Sequence, residues 1–294
     1  MKTIRKAIIP AAGMGTRMLP IAHAVPKEML PIVDRPSISY LVEEAVKSCI
    51  TDILVITNRD KECMENYFDY APEYDARLRA TGKAEEADRL RTVAEGCNLY
   101  FIRQKEARGL GHAVRCARSF TADEPFVVLY GDDVIFSEKP VCRQLMEVYE
   151  QYGLPCAAVK EVPMELVLKY CTLDARPCGE NVYRVHTMIE KPRPEQVMTR
   201  FSILGRVLLT PEVYDILDRI PYGAGGELQL TDAMKVLAED NPDGGMIALD
   251  FEGKRYDMGA KLGYLMANVE RGAVHPELGE AFRAYLREFV KTLD

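Results

Sequence analysis

The stretch Pro10-Ala11-Ala12-Gly13-Met14-Gly15-Thr16-Arg17 follows residues 4–9, which predict a short buried strand. Its two glycines let the backbone approach a ligand and point N–H groups at it, and such a concavity binds anions. Arg17 adds a fixed positive charge suited to phosphate. The stretch predicts a phosphate-binding turn, and the alternative of an ordinary turn after a strand stays open at this point.

Two other phosphate-binding loops do not fit the sequence. The dinucleotide fingerprint needs a third glycine where this chain has Met18, and it needs a helix at once. Four prolines between positions 20 and 36 keep that segment out of a helix. A P-loop needs Gly-Lys-Ser/Thr, whereas Gly82-Lys83 is followed by Ala84 and Gly253-Lys254 by Arg255.

Around this turn, strands and helices alternate through the first half of the chain. Apolar and β-branched runs predict strands at 53–57, 99–102 and 126–130. Helical spacing of apolar residues predicts helices at 37–49, 60–68 and 112–119. The alternation predicts a parallel sheet with right-handed crossovers. The charged segment 73–95 predicts a solvated helical insertion, with partner binding as the less favoured alternative.

The second half of the chain is less regular. Strands are predicted at 156–162, 182–189 and 201–209, and helices at 211–220 and 228–238. The tail, 276–293, is amphipathic, with an apolar stripe formed by Leu278, Phe282, Leu286, Phe289 and Val290.

Composition limits the class of protein. The chain has 294 residues, a net charge of −7 and no apolar run near the roughly 18 residues of a membrane span. The acidic balance argues against a nucleic-acid polymer as partner. Residues 7–12 are too short for a signal-peptide core, so we expect a cytoplasmic protein that does not bind membranes. The eight cysteines contain no C-x-x-C unit and predict reduced, mostly buried thiols.

Charged residues that follow predicted strands are the candidates for chemistry. Lys27 and Glu28, between two prolines, offer a second cation and an acceptor beside the glycine turn. Asp132 and Asp133 end a buried strand, where ligands of open parallel sheets lie. Two carboxylates there are suited to Mg²⁺, which takes one or two carboxylates and completes its shell with substrate phosphates. The alternative is a polar turn that caps the next segment.

The motifs together closely resemble those of bacterial UTP–glucose-1-phosphate uridylyltransferases (UDP-glucose pyrophosphorylases). The resemblance extends from about residue 6 to 269. It rests on the glycine turn and on Pro26-Lys27-Glu28-Met29-Leu30-Pro31, Arg103-Gln104, Gly109-Leu110-Gly111-His112-Ala113, Gly131-Asp132-Asp133, Glu190-Lys191-Pro192, Gly223-Ala224-Gly225-Gly226-Glu227-Leu228-Gln229-Leu230-Thr231-Asp232 and Phe251-Glu252-Gly253-Lys254-Arg255-Tyr256-Asp257.

This resemblance implies an α/β fold with a mixed, mainly parallel central sheet flanked by helices, the Rossmann-like nucleotidyltransferase fold. It implies a single domain over 1–294, with a nucleotide-binding half at about 1–135 and a sugar-binding and C-terminal helical half at about 136–294. It also implies a homo-oligomer, either a dimer or a tetramer.

The resemblance further implies roles for individual residues. Arg17 and Lys27 would hold the triphosphate and Lys191 the sugar phosphate, and these three form the catalytic set. Asp132 and Asp257 would hold Mg²⁺. The nucleotide would be surrounded by Ala11, Ala12, Gly13, Gly15, Glu28, Gln104 and Gly109. The sugar would be contacted by Asp133, Cys171, Glu190 and Gly205.

The implied reaction is UTP plus glucose 1-phosphate giving UDP-glucose and pyrophosphate. Another nucleotide, such as dTTP, or another sugar phosphate remains an alternative, as does a silent paralogue that binds nucleotide sugar and regulates a partner. Two positions depart from the family pattern: Tyr170-Cys171 stands where Tyr-Gly is usual, so Cys171 replaces a glycine, and Ala260 replaces an aspartate.

Overall fold

The computed structural model describes residues 3–91 and 95–293. The described residues form thirteen strands: β1 Lys6–Pro10, β2 Pro31–Ile32, β3 Arg35–Pro36, β4 Asp52–Thr57, β5 Asn98–Arg103, β6 Phe126–Leu129, β7 Asp133–Phe136, β8 Cys156–Glu161, β9 Cys171–Gly179, β10 Val182–Glu190, β11 Phe201–Leu209, β12 Met246–Asp250 and β13 Lys254–Asp257. They also form twelve α-helices: α1 Ser37–Lys47, α2 Glu62–Phe68, α3 Pro72–Ala80, α4 Ala84–Arg91, α5 Leu110–Cys116, α6 Arg118–Thr121, α7 Val141–Tyr152, α8 Met164–Val167, α9 Glu212–Arg219, α10 Leu230–Glu239, α11 Lys261–Ala273 and α12 Gly279–Val290.

Nine of these strands form one mixed sheet in the order β5-β4-β1-β6-β11-β8-β12-β10-β9. The first four strands in this order are parallel. Beyond β6, the sheet continues through antiparallel pairs with a single parallel pair, β8 with β12. The predicted mixed sheet, parallel at its core, is confirmed. Two-stranded ladders, β7 with β13 and β2 with β3, lie outside it.

Helices cover both faces of the sheet because the central strands are apolar on both sides. In β1, Ala7 and Ile9 face a cluster that includes α1 and α7, while Ile8 faces a second cluster that includes α5, α9 and α10. Each fully buried aliphatic side chain of this kind contributes about 1.5–3 kcal/mol of transfer free energy. Since both faces are covered, ligand access is left to the ends of the strands.

Every strand and helix predicted from the sequence is present, with bounds that differ by a few residues. The sequence missed β9, β12, α7 and α11 among others. β9 is polar and ends as an exposed edge strand, so it lacks the apolar signal of a buried strand. The insertion forms α3 and α4, which are mostly exposed as expected. The part of that insertion at 92–94 lies outside the described residues.

Two expectations about side-chain burial need correction. All eight cysteines are free thiols, but only Cys142, Cys156 and Cys171 are buried, so the expectation of mostly buried thiols is wrong. On α12, Phe282 and Leu286 are half-buried, whereas Leu278, Phe289 and Val290 are exposed. The amphipathic stripe therefore covers little of this chain's own core. Among the described residues, no helix is long and apolar enough to cross a membrane.

Candidate active site

The glycine turn lies at the carboxyl edge of the parallel part of the sheet, directly after β1. The Ala11 N–H donates to the Ile56 carbonyl at 2.8 Å, which carries the chain alongside the end of β4. Gly15 then takes a positive φ of 66°, a conformation that favours glycine, and the chain enters a 3₁₀ turn at Thr16–Met18. This turn brings Arg17 to the edge of the sheet.

A lysine absent from the sequence predictions holds this turn from behind. The Lys61 ammonium donates to the Ala11 carbonyl at 2.5 Å, to the Gly13 carbonyl at 2.8 Å and to Glu28 Oε2 at 2.7 Å. Asn58 Nδ2 donates to the intervening Ala12 carbonyl at 2.8 Å. Lys61 carried no recognisable signal because a lysine in a polar turn after a strand is usually a surface residue.

The larger of two adjoining cavities, of about 500 Å³, opens over this turn. Six of the seven residues that the resemblance assigned to the nucleotide line it: Ala12, Gly13, Gly15, Glu28, Gln104 and Gly109. Ala11 is buried behind them. Sequence reasoning gave no role to Met14, Tyr130 or Glu227, which also line this cavity.

Gln104 presents an oriented amide to this cavity. Its Nε2 lies 2.7 Å from His112 Nδ1 and donates to the Gly109 carbonyl at 3.4 Å. Burial, together with the nearby Arg115, lowers the pKa of His112 and so favours the neutral ring, in which Nδ1 can accept from the Gln104 amide. With its amino group engaged, Gln104 can offer its carbonyl oxygen to the N–H of a base.

Two carboxylates and two cations meet where this cavity ends. The Lys27 ammonium contacts Asp132 Oδ2 at 2.6 Å. Arg17 bridges the carboxylates, with Nη1 at 3.1 Å from Asp257 Oδ2 and Nη2 at 3.4 Å from Asp132 Oδ2. Burial opposes the ionisation of Asp132, but Lys27 and Arg17 outweigh it and hold the pKa of this carboxyl below its usual value. The four side chains therefore form a compact charged cluster.

The chemistry of this cluster suits a divalent cation. One guanidinium contacts both Asp132 and Asp257, so the two carboxylates lie on either side of the same positive charge. Among the described residues, no group of three or more His, Cys, Asp or Glu side chains could hold a metal. Two carboxylates completed by substrate phosphates match the preference of Mg²⁺.

The smaller cavity, of about 170 Å³, begins on the other side of Asp132. The two cavities share Leu110, Tyr130 and Asp132, so they adjoin at these residues. Asp133, Cys171 and Glu190, which the resemblance assigned to the sugar, line the smaller part. The same part is also lined by Lys169, Tyr170, Ile203, Gln229, Leu230, Thr231 and Arg255.

Asp133 is held in an ion pair that sequence reasoning did not foresee. Its Oδ1 lies 2.5 Å from Arg255, whose guanidinium also donates to the Tyr170 hydroxyl at 3.1 Å. Burial raises the pKa of Asp133 to about 6 against the lowering effect of Arg255. Gly205 packs against the Asp133 side chain and has φ 79°. A Cβ added to Gly205 would lie 2.5 Å from the Asp133 Cβ. Gly205 thus allows the close approach of β11 to β7.

The remaining sugar candidates lie at the start of β9 and the end of β10. Glu190 Oε2 accepts from the Thr231 hydroxyl at 2.9 Å, and burial raises the pKa of this carboxyl. The Cys171 thiol accepts from the Ile203 N–H at 3.3 Å, so the departure from glycine is accommodated inside the protein. Lys191 follows Glu190 with φ 46° and is exposed, and it is not among the described residues that line either cavity.

Comparison with known proteins identifies the family of this chain. The family model described as nucleotidyl transferase matches residues 6–271. The chain belongs to the nucleotidyl transferase family. Within it, the chain is 46% identical over 290 residues to UTP–glucose-1-phosphate uridylyltransferase YngB of Bacillus subtilis (strain 168), covering 99% of this chain and 97% of that one. The family prediction made from the motifs is confirmed.

Solved structures of this nucleotidyl transferase family show the same fold. A UDP-glucose pyrophosphorylase complexed with UDP-glucose is 37% identical, with a TM-score of 0.81 over 90% of this chain and 97% of that one. The UTP-bound UGPase from Acinetobacter baumannii is 33% identical, with a TM-score of 0.89 over 97% of this chain and 99% of that one.

We expect Gly109→Ala to weaken nucleotide binding to this nucleotidyl transferase. Gly109 has φ 99°, and a Cβ there would lie 2.7 Å from the Leu228 carbonyl. Strain of about 1–3 kcal/mol would be relieved by shifting the loop that lines the larger cavity, and KM for the nucleotide should rise by roughly tenfold. Gly82→Ala is the matched control, because Gly82 has φ 78° with nothing within 4 Å of the added Cβ. Equal KM values in the two variants would contradict this expectation.

Proposed function

We propose that the protein transfers the uridylyl group of UTP to α-D-glucose 1-phosphate, which forms UDP-glucose and releases pyrophosphate. The observation that supports this most directly is the pair of adjoining cavities that meet at Asp132, with Arg17 and Lys27 beside it. We assign the nucleotide to the larger cavity and the sugar to the smaller, so the reacting phosphates would meet at the cations. The names of the sequence relatives and the ligands of the structural relatives agree with this assignment.

The reaction proceeds by direct in-line displacement. A sugar 1-phosphate has a second pKa of about 6 and is largely a dianion at pH 7, so it can attack the α-phosphorus without a general base. The obstacle is repulsion between two polyanions and the charge that develops on pyrophosphate. Arg17 and Lys27 supply fixed positive charge where the cavities meet, and positioning and electrostatics account for most of the catalysis.

The proposed cofactor is Mg²⁺. Asp132 and Asp257 would hold it, and it would supply positive charge to the phosphate oxygens. Arg17 and Lys27 already contact these carboxylates, so triphosphate binding would draw both cations towards the phosphates and free the carboxylate oxygens. We therefore expect weak metal binding without nucleotide and firm binding with it.

The sugar is bound by the smaller cavity in this proposal. The Glu190 carboxylate, oriented by Thr231, and the Asp133 carboxylate, held by Arg255, provide acceptors for sugar hydroxyls. Lys191 would reach the sugar phosphate from the rim, where its exposure leaves the ammonium able to move. Cys171 would form part of the wall next to Glu190, and Gly205, which is not among the described residues that line this cavity, would leave room for Asp133.

A panel of nucleotides and sugar phosphates tests the proposed substrates. We expect pyrophosphate release with Mg²⁺, UTP and glucose 1-phosphate to exceed release with dTTP or galactose 1-phosphate by at least tenfold in kcat/KM. A preference for dTTP would overturn the uridylyl assignment. Binding of UDP-glucose without turnover would favour the silent paralogue, although Arg17, Lys27 and the glycine turn are all intact.

The proposal extends to the organisation of the protein. Residues 1–294 would act as one domain, since strands from both halves share one sheet. The eight free thiols support a location in the reducing cytoplasm. A homo-oligomer, either dimer or tetramer, is supported by exposed apolar side chains on α11 and α12: Leu262, Leu265, Met266, Val269, Tyr285, Phe289 and Val290.

Light scattering tests the proposed assembly. We expect a mass of two or four chains in solution, and Leu265→Asp to shift the protein towards monomer because it places a charge in the apolar face. Leu90→Asp is a control on the exposed insertion, since Leu90 is about as exposed as Leu265. A wild-type protein that is entirely monomeric at micromolar concentration would contradict the proposal.

A further inference from the structure

Lys61 is a buried lysine at which all three ammonium donors are used by the protein itself. Its acceptors are the carbonyls of Ala11 and Gly13 and the carboxylate of Glu28, all within 2.8 Å. The side chain is 7% exposed, and Lys61 is not among the described residues that line either cavity. An ammonium has three donors, so none is left for a ligand. Lys61 therefore acts on the site only through other residues.

The contacts of Lys61 determine which way the backbone of the glycine turn faces. In a planar trans peptide, the C=O and the following N–H point in opposite directions. Lys61 and Asn58 together donate hydrogen bonds to three consecutive carbonyls, those of residues 11, 12 and 13, and so fix the direction of each. The N–H groups of residues 12, 13 and 14 must then point away from them, and these three residues line the larger cavity. Such aligned N–H groups bind phosphate.

Lys61 also compensates the charge of Glu28. Glu28 is 1% exposed, its Oε2 accepts from Lys61, and its Oε1 has no partner in the described protein. Burial raises the pKa of Glu28 and lowers that of Lys61, with each charge opposing the effect on the other. If Lys61 were removed, a buried carboxylate in the wall of the cavity would have to move or take up a proton.

We propose that Lys61 is a positioning residue for the nucleotide: it holds the glycine turn with its N–H groups facing the cavity and keeps Glu28 in place beneath it. The identity of the nucleotide as UTP rests on the proposed function. The positioning role itself concerns any nucleotide that the larger cavity binds. Because the smaller cavity contains none of the groups that Lys61 contacts, the effect is confined to the nucleotide.

The test compares nucleotide binding with sugar-phosphate binding in Lys61 variants. Lys61→Met keeps the unbranched apolar stem of the side chain, one atom shorter, and removes its donors. We expect Kd for UTP, measured by calorimetry, and KM for UTP to rise at least tenfold, with KM for glucose 1-phosphate changed less than threefold. Lys61→Arg should show the same split, because a planar fork cannot place one charge among three converging acceptors. If Lys61→Met does not fold, the same measurements on Lys61→Arg provide the test.

Lys6→Met is the matched control for the loss of a lysine that pairs with a carboxylate and a backbone carbonyl. Lys6 stands at the opposite end of β1 and makes the same kinds of contact, to Glu124 at 2.6 Å and to the Thr121 carbonyl at 3.4 Å. We expect its nucleotide and sugar-phosphate parameters to stay within twofold of the wild type. A loss of melting temperature in both lysine variants, with a nucleotide effect only at Lys61, supports the proposal.

Two results would overturn the positioning role. One is a folded Lys61→Met or Lys61→Arg protein that binds UTP as tightly as the wild type. The other is an equal rise in KM for both substrates, which would indicate a general loss of structure. The calorimetric measurement needs no turnover, so an absence of uridylyl transfer in the wild type would reject the proposed function, while the comparison of UTP binding would still test the role of Lys61.

Discussion

Asp132→Asn is expected to lower kcat by at least roughly a hundredfold, in line with losses at other electrostatic catalytic groups. The substitution keeps the shape of the side chain and removes the charge that would hold Mg²⁺. It also leaves the largely buried Lys27 ammonium without its partner at 2.6 Å. Because one charge of a partly buried pair is then uncompensated, we expect a folded protein with a lower melting temperature.

Metal binding separates the catalytic role of Asp132 from its role as partner of Lys27. With Mn²⁺ as a spectroscopic probe, the wild type should bind the metal firmly only when UTP is present, and Asp132→Asn should lose this binding. Asp257→Asn should behave similarly if Asp257 shares the ion. Asp250→Asn is the matched control, because Asp250 also ends a strand and pairs with a lysine, Lys160, at 2.6 Å. Near-normal metal-dependent turnover in Asp132→Asn would make its carboxylate a turn-capping group.

Lys27→Met is expected to lower kcat/KM for UTP by about a hundredfold to a thousandfold. Lys27 lines the larger cavity next to Asp132, so its ammonium lies where the two sets of phosphates would meet. Its contact with Asp132 raises the pKa of Lys27 against the lowering effect of burial, and it stays charged at every pH suitable for assay. Without this charge, the repulsion between the phosphates of the two substrates is no longer offset.

The measurement for Lys27 is steady-state kinetics with each substrate varied in turn. Lys27→Arg should recover only part of the loss, because the stem of Lys27 packs closely against Gly15 and a bulkier side chain has little room there. A Cβ built on Gly15 would lie 3.5 Å from Cβ and Cδ of Lys27. Lys47→Met serves as control, since Lys47 is exposed on α1 and pairs with Glu43. A Lys27→Met enzyme with kcat/KM within threefold of the wild type would remove Lys27 from the catalytic set.

The parallel part of the fold could be predicted from the sequence, and so could the grouping of most of the candidate nucleotide residues around one cavity. The buried strands appear as apolar runs, and the carboxyl ends of parallel strands share one edge, so Gly13, Gln104 and Asp132 had to come near one another. Glu28 and Gly109 were assigned to the nucleotide only because their motifs resemble those of the family. Their local chemistry alone is that of ordinary loop residues.

The sequence by itself determined which segments are buried, where the parallel strands end and which residue types gather there, because those features follow from local periodicity and from one rule of sheet topology. Tertiary structure alone decided the contacts between Arg17 and Asp257, between Asp133 and Arg255, and of Lys61 with the glycine turn. These partners are 240, 122 and 48 residues apart. No periodic pattern encodes such pairings, since they depend on how the connections between strands cross the edge of the sheet.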